Sequence, residues 1–448
     1  MVDGVQAADR LGTAQPPLAP ASQQEVDEED RLFADVLSHQ RVRSVYQPVR
    51  SLVSGAVVAY EALSRGPQGS VLEPPDRLFA AAHRANALAE LDRVCQIAAA
   101  SSACDAGLEA PFSLFINVEP GASPPDLPAV RAALCRVIGA DLPVVVELTE
   151  RALTARPAEL LRTVAELREF GWGIAIDDVG ADPASLALLP LLHPDVIKLD
   201  LRLVQEQPSP QVARIVSAVN AEAERSGAVV LAEGIETPKH VDLARGLGAT
   251  LGQGWMLGRP LPLPAQLPAA PEEPVRIAAH AAPATGASPF QLVASARPVR
   301  RATKPLLIEV SKHLEQQAQL SSELAVVLAT FQDVEYFTAA TQRRYGALAS
   351  RAAFVGALGT GMPISPVAGV RGGVLDADDV VRGEWDIAVI GPHYAAALVA
   401  RDVGDTGPDA QRRFDYVLTH DRELAVQVAS GLMGRMGPAR SVIPSQRR

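Results

Sequence analysis

GIAIDDVGADPASLALLPLLHPDVIKLD, residues 173–200, decides the reading of the fold. Two short apolar, β-branched runs, GIAIDD and DVIKLD, each finish on charged side chains, with a leucine-rich stretch between them. The form repeats on both sides: SVYQPV (44–49), VVAYEAL (57–63), FSLFINV (112–118), VVVELT (144–149), VVLAEG (229–234) and the segment before GQGW (252–255). Between most of these runs the apolar residues recur at three- and four-residue spacing, as in 75–100 and PAELLRTVAELREFG (157–171), which predicts helices. Strand alternating with helix predicts βα units and a parallel sheet. About eight strands in about 230 residues is the size of a (β/α)8 barrel. A doubly wound open sheet is the alternative, but no GxGxxG or GxxxxGK[ST] follows any of these strands.

The strand ends carry the chemistry. Glu61 closes VVAYE, Asn117 closes FSLFIN, Glu147 closes VVVE, Asp177 and Asp178 close GIAIDD, and Glu233 closes VVLAE; Lys198 lies within VIKLD. Carboxylates at strand ends cost desolvation unless they meet a cation, a donor or water. In a barrel those ends converge on one mouth. Any one of them, such as Glu147 or Asp177, also suits a helix cap; the set together points to a site. The set is rich in oxygen ligands and no histidine ends a strand of this body, so Mg²⁺ or Mn²⁺ is expected rather than Zn²⁺. Four or five carboxylates exceed the needs of one ion, and two ions sharing a water suit displacement at phosphorus. Asp177 and Asp178 are adjacent and cannot share one face of a regular strand; Gly180 permits a turn there. Lys198 is read as an ammonium aimed at the attacking water or developing phosphate charge.

Composition bounds the rest. The chain has 448 residues, 48% hydrophobic and 21% charged, ordinary for a soluble protein of two or three domains. A net charge of -11 argues against direct nucleic-acid binding. The N-terminus lacks the pattern of a secretory signal and no apolar run approaches a membrane span of ~20 residues, so a cytoplasmic protein away from the membrane is expected. Cys95, Cys104 and Cys135 fit neither a disulfide framework nor a zinc motif. Residues 1–30, ending in EVDEED, read as a disordered acidic tail, 31–265 as the barrel and 266–287 as a Pro/Ala-rich linker. Residues 288–436 read as a mixed α/β body and 437–448 as a second tail. In that body KPLLIEVSKHLEQQAQL and HYAAALVARDV are read as helical and AVVLATF as a strand; Phe331, Tyr336 and Trp385 are read as core aromatics, with the lining of a pocket as the alternative.

The segment YQPVRSLVSGAVVAYEALSRG resembles the opening of an EAL domain, and FINVEP, ELTE, IDDVG, PDVIKLD, AEGIET and GQGWMLGRP follow in the family's order over about residues 40–262. The resemblance implies a (β/α)8 TIM-type barrel with an irregular first strand that hydrolyses cyclic di-GMP to linear pGpG with two Mg²⁺ or Mn²⁺ ions. It implies that Glu61, Asn117, Glu147 and Asp177 hold one ion, and that Asp177, Asp178 and Glu233 hold or support the second. Lys198 would activate the water, with Glu233 counted among the catalytic groups. Arg65 would contact a phosphate, Gln47 and Gln253 would lie near the nucleotide, and Glu150 would steady the loop after IDD. It also implies a homodimer.

The family's DDFGTG loop reads DDVGAD here (177–182), which puts the coupling of that loop to turnover in doubt. An EAL scaffold that binds cyclic di-GMP without turnover is the competing reading. A glycosidase pair of acids would leave Asn117, Lys198 and the Asp177–Asp178 pair without a role. SPFQLV, SKHLE, TFQDVEYFTAATQRRY, GEWDIAVIGP and AAALVARD resemble a DICT domain, which implies a sensory module whose signal these residues do not disclose.

Overall fold

The computed structural model describes residues 23–118, 142–149, 156–181, 186–277, 287–320, 324–406 and 408–437. Eight strands close into a barrel in chain order: β1 (Arg43–Ser51), β2 (Val57–Arg65), β3 (Ser113–Asn117), β4 (Val144–Thr149), β5 (Gly173–Val179), β6 (Val196–Leu199), β7 (Val229–Ala232) and β8 (Leu251–Gly252). β1 runs antiparallel to both its neighbours, β2 and β8, and the other pairings are parallel. All eight expected strands are present.

Because successive strand side chains face opposite ways, every second residue enters the barrel. One interior layer is apolar and takes Val49, Ala59, Phe115, Val145, Ala175, Val196, Leu231 and Leu251, one from each strand. The alternate residues face outward and pack against the surrounding helices, as Ile116, Val146, Ile176 and Ile197 do. Val275 and Ile277 join the interior layer. A Cβ on Gly173, the first residue of β5, would lie 3.0 Å from Ile277 Cγ1, so this glycine leaves room for a plug. The expected linker is thus corrected in part: its residues Leu267, Val275 and Ile277 pack on the barrel, and 278–286 lie outside the described residues.

Two further expectations change. The acidic run at the end of the supposed 1–30 tail lies in a helix, Gln23–Ser38. That helix buries Phe33 and Val36 against Leu78 and Leu91, while Glu29 and Asp30 pair with Arg77 and Arg84. Residues 1–22 and 438–448 lie outside the described residues. The long helix expected over 75–100 is two, Pro75–Arg84 and Leu88–Asp105, separated where Asn86 takes a positive φ of 52°.

The C-terminal body is a seven-stranded sheet. Its strands are β9 (Arg300–Thr303), β10 (Val326–Asp333), β11 (Phe354–Thr360), β12 (Val370–Val374), β13 (Glu384–Ile390), β14 (Ala395–Asp402) and β15 (Arg413–Thr419), in the order β12-β11-β10-β13-β14-β15-β9. KPLLIEVSKHLEQQAQL is the helix Lys304–Leu320, as expected. HYAAALVARDV is not helical: Ala395–Asp402 is β14, antiparallel to β13 and β15. Ala395 to Ala400 are buried on both faces of the sheet, and that burial overrides alanine's helix preference. Phe331, Tyr336 and Trp385, read as core, line a cavity between this sheet and the Lys304 helix.

The helix Arg422–Met433 covers the sheet's other face and packs on the barrel helices Leu189–Leu192 and Pro157–Glu169. Those helices flank β5, which carries Asp177 and Asp178. Among the described residues no helix is long and apolar enough to cross a membrane.

If Val275 and Ile277 plug the barrel, replacing both with alanine in the full chain should lower unfolding free energy by about 3 kcal/mol. Chemical denaturation followed by far-ultraviolet circular dichroism reads this directly. A loss below about 0.5 kcal/mol would mark them as surface residues.

Candidate metal and catalytic centre

Two residues toward the mouth from the apolar layer, each strand presents a polar side chain. From Val49 the step leads to Gln47, because β1 runs the opposite way; from Ala59 to Glu61; from Phe115 to Asn117; and from Val145 to Glu147. Ala175 leads to Asp177, Val196 to Lys198, Leu231 to Glu233 and Leu251 to Gln253. The candidate site is this second layer of the barrel interior.

Lys198 stands at its centre, 1% exposed. Its Nζ lies 2.8 Å from Glu147 Oε1, 2.8 Å from Glu233 Oε1, 3.0 Å from Asp177 Oδ1 and 3.9 Å from Glu61 Oε2. Burial opposes the charge, but Glu147, Glu233, Glu61 and Asp177 outweigh it and hold the ammonium well above its ordinary pKa. Glu61 accepts from Asn117 Nδ2 at 3.2 Å and from Gln253 Nε2 at 2.5 Å.

The adjacent aspartates are separated by a break in regular strand geometry. Asp178 adopts φ 57°, and the pairing of β5 with β6 shifts register between Ile176 and Val179. The turn is therefore made at Asp178 itself, with Gly180 (φ 104°) following it. As a result, carboxylate oxygens of Asp177, Asp178 and Glu233 lie within 4.8 Å of one another. Gly254 serves the same mouth: a Cβ there would lie 2.2 Å from the Ile235 nitrogen, so the turn after Gln253 admits only glycine.

The residues fit cations. Glu147 is 1% exposed; its Oε1 meets the Lys198 ammonium at 2.8 Å, while its Oε2 has no hydrogen-bond donor, and the Gln253 amide oxygen is likewise buried and unsatisfied. Five carboxylates against one ammonium leave an excess of four negative charges, the charge of two divalent ions. In a metal-free site, protons meet part of this excess. Burial and the neighbouring Glu61 push the Glu147 carboxyl well above the usual range, more than Lys198 can offset. Burial raises Glu233 to about 8, with Asp177 and Glu61 adding and Lys198 opposing.

Of the remaining candidates, Gln47 is the β1 member of this layer and Arg65 lies outside it. Arg65, at the end of β2, donates to the Ser64 carbonyl at 2.8 Å; burial and then Arg43 lower its guanidinium pKa. Gln47 donates to the Gly258 carbonyl at 3.0 Å. Glu150 lies outside the described residues, as do Asp182, Pro183 and Cys135. Gln47 and Gln253 entered the reading only through resemblance; the two-residue step from Val49 and Leu251 would have found both from the sequence.

The EAL domain family model matches residues 30–260, and the model described as "Sensory domain in DIguanylate Cyclases and Two-component system" (DICT) matches 290–402. The chain is similar to two Pseudomonas aeruginosa proteins named cyclic di-GMP phosphodiesterases. It is 32% identical to NbdA over 251 residues (54% of this chain, 32% of NbdA) and 30% identical to RocR over 232 residues (50% and 59%). The matches thus span less than two-thirds of either relative. Among solved structures, Klebsiella pneumoniae BlrP1 in a calcium/cyclic-di-GMP complex is 29% identical, with 50% of this chain and 56% of that chain covered and a TM-score of 0.45.

Glu147 and Glu233 hold protons more tightly folded than unfolded, so the unfolded chain releases them first as pH rises. Metal-free stability should therefore fall between the ordinary glutamate value of 4.5 and about 8. Thermal unfolding in chelator should show the melting temperature dropping from about pH 5 to about pH 8, and millimolar Mn²⁺ should remove most of the drop. Equal slopes with and without metal would contradict the assignment.

Proposed function

Because the chain belongs to the EAL domain family, we propose that its barrel hydrolyses one phosphodiester of cyclic di-GMP to linear pGpG with two divalent cations, Mg²⁺ or Mn²⁺. The observation that carries this reading is the buried Lys198 ammonium ringed by Glu147, Asp177, Glu233 and Glu61 at the barrel mouth. Glu61, Asn117, Glu147 and Asp177 would hold one cation, and Asp177, Asp178 and Glu233 the other. Bound there, two such ions lower the pKa of a shared water and neutralise charge at phosphorus.

The chain's own groups orient the step. The Asn117 and Gln253 amides fix the Glu61 carboxylate from two sides, which leaves it little freedom to rotate away. Lys198 has no room to leave its ring of acids and stays protonated, so it acts as a fixed donor rather than a base. Its ammonium would orient the attacking water and then stabilise the oxygens of the phosphate as negative charge builds. Water oxygen bonds to phosphorus and the ribose oxygen departs with the bonding pair; the one proton that the water loses to solvent balances the one that the departing oxygen gains from it. Arg65, with its planar fork at the rim of β2, would hold the phosphate that does not react.

Over 177–181, the described part of the DDVGAD loop, Asp177 and Asp178 keep carboxylate oxygens close to those of Glu233. Val179 is fully buried, pairs with Leu199 and packs in the shell between barrel and helices, where an apolar side chain of any shape keeps β5 in place. The C-terminal body would regulate turnover through the helix Arg422–Met433, whose partners Leu189–Leu192 and Pro157–Glu169 flank β5.

Purified protein with cyclic di-GMP and Mg²⁺ or Mn²⁺ should yield pGpG. Glu61→Ala should abolish turnover, and Lys198→Ala should lower kcat by about a thousandfold. Nucleotide binding without product under either metal would replace the hydrolase by a receptor.

A further inference from the structure

The C-terminal body contains a cavity of about 410 Å³ on the sheet face opposite the barrel, between the helix Lys304–Leu320 and strands β10, β13 and β15. That volume suits a small molecule of one or two fused rings. Its walls are aromatic. Phe331 meets Tyr345 edge to face with centroids 5.3 Å apart, and Trp385 meets Phe414 in the same way at 5.7 Å. These rings line the space together with Tyr336, and a planar ring among them would gain further edge-to-face or stacked contacts.

Two polar features say what such a ring would carry. Ser311, 7% exposed, turns into the cavity with a buried hydroxyl that has no hydrogen-bond partner. At one end Lys304 and Arg412, with side chains only 16% and 15% exposed, face the cavity beside the Tyr336 ring. Both cations bond to Asp409: Lys304 Nζ lies 2.6 Å from Oδ1, and Arg412 Nη1 lies 3.3 Å from it. Arg412 is also held by Asp402, whereas Asp409 is 62% exposed and sits on the short turn Asp409–Gln411. The cations are thus built into the wall, and their shared counter-ion reaches in from solvent.

We propose that this cavity binds a planar aromatic carboxylate. Its ring lies among Phe331, Trp385 and Phe414, a ring substituent meets the Ser311 hydroxyl, and its carboxylate takes the place of Asp409 on Lys304 and Arg412. Asp409 then acts as an internal competitor that the ligand displaces. The inference is independent of the barrel's chemistry, since the site lies in the other body and its occupancy is read as heat rather than as turnover.

Calorimetric titration of the full chain with naphthoate, and with neutral naphthalenemethanol of the same shape, tests this. Naphthoate should bind saturably, about tenfold more tightly than the alcohol, and Lys304→Gln should weaken it by about tenfold. Asp409→Asn, which removes the counter-ion's charge on a 62% exposed side chain, should tighten naphthoate several-fold and leave the alcohol unchanged. Saturable binding of neither compound, equal binding of both, or naphthoate binding unchanged or weakened by Asp409→Asn would overturn the proposal.

Discussion

A single buried ammonium is the constraint on which the barrel's site depends. Desolvating Lys198 is costly, and its charge survives only because Glu147, Asp177 and Glu233 lie within 3.0 Å of it. The reverse holds too: five acids on neighbouring strand ends repel one another, and the lysine offsets one charge of the five. The rest must be met by protons or by cations. Glu147 and Glu233 take protons when nothing else is available, which is why their carboxyls lie so far above the ordinary range.

The barrel supplies the rigidity this balance needs. The polar layer rests two residues above an apolar layer that is itself closed from below by Val275 and Ile277. Each functional side chain therefore stands on a packed strand or, as with Glu233 and Gln253, on the residue that follows its end, and its position follows from strand register. The exception is Asp178, which reaches the centre only because β5 departs from regular pairing at that residue. That departure lies in the segment flanked by helices on which the C-terminal body packs.

Much of this was legible in the sequence. The eight strands and the polar residues that close them stand out because a period of two forces alternate residues inward, and because Glu, Asp and Lys are conspicuous in apolar runs. What escaped is what local pattern does not encode. The alanine-rich β14 reads as helix until both its faces are buried. Val275 and Ile277 lie in a Pro-rich stretch with no periodicity, and their role comes from the open end of a barrel formed by distant segments. The acidic run near residue 30 reads as solvated until Arg77 and Arg84 appear opposite it. Phe331 and Trp385 are indistinguishable from core aromatics in sequence, since a cavity is a property of packing alone.

The central claim is that the acidic layer around Lys198 is a two-cation site, and counting bound ions tests it without reference to catalysis. Electron paramagnetic resonance of free Mn²⁺ at about pH 8 should give about two tightly bound ions per chain, falling to about one in Glu233→Gln. Fewer than one bound ion in the unaltered protein, or a stoichiometry that Glu233→Gln leaves unchanged, would contradict the account.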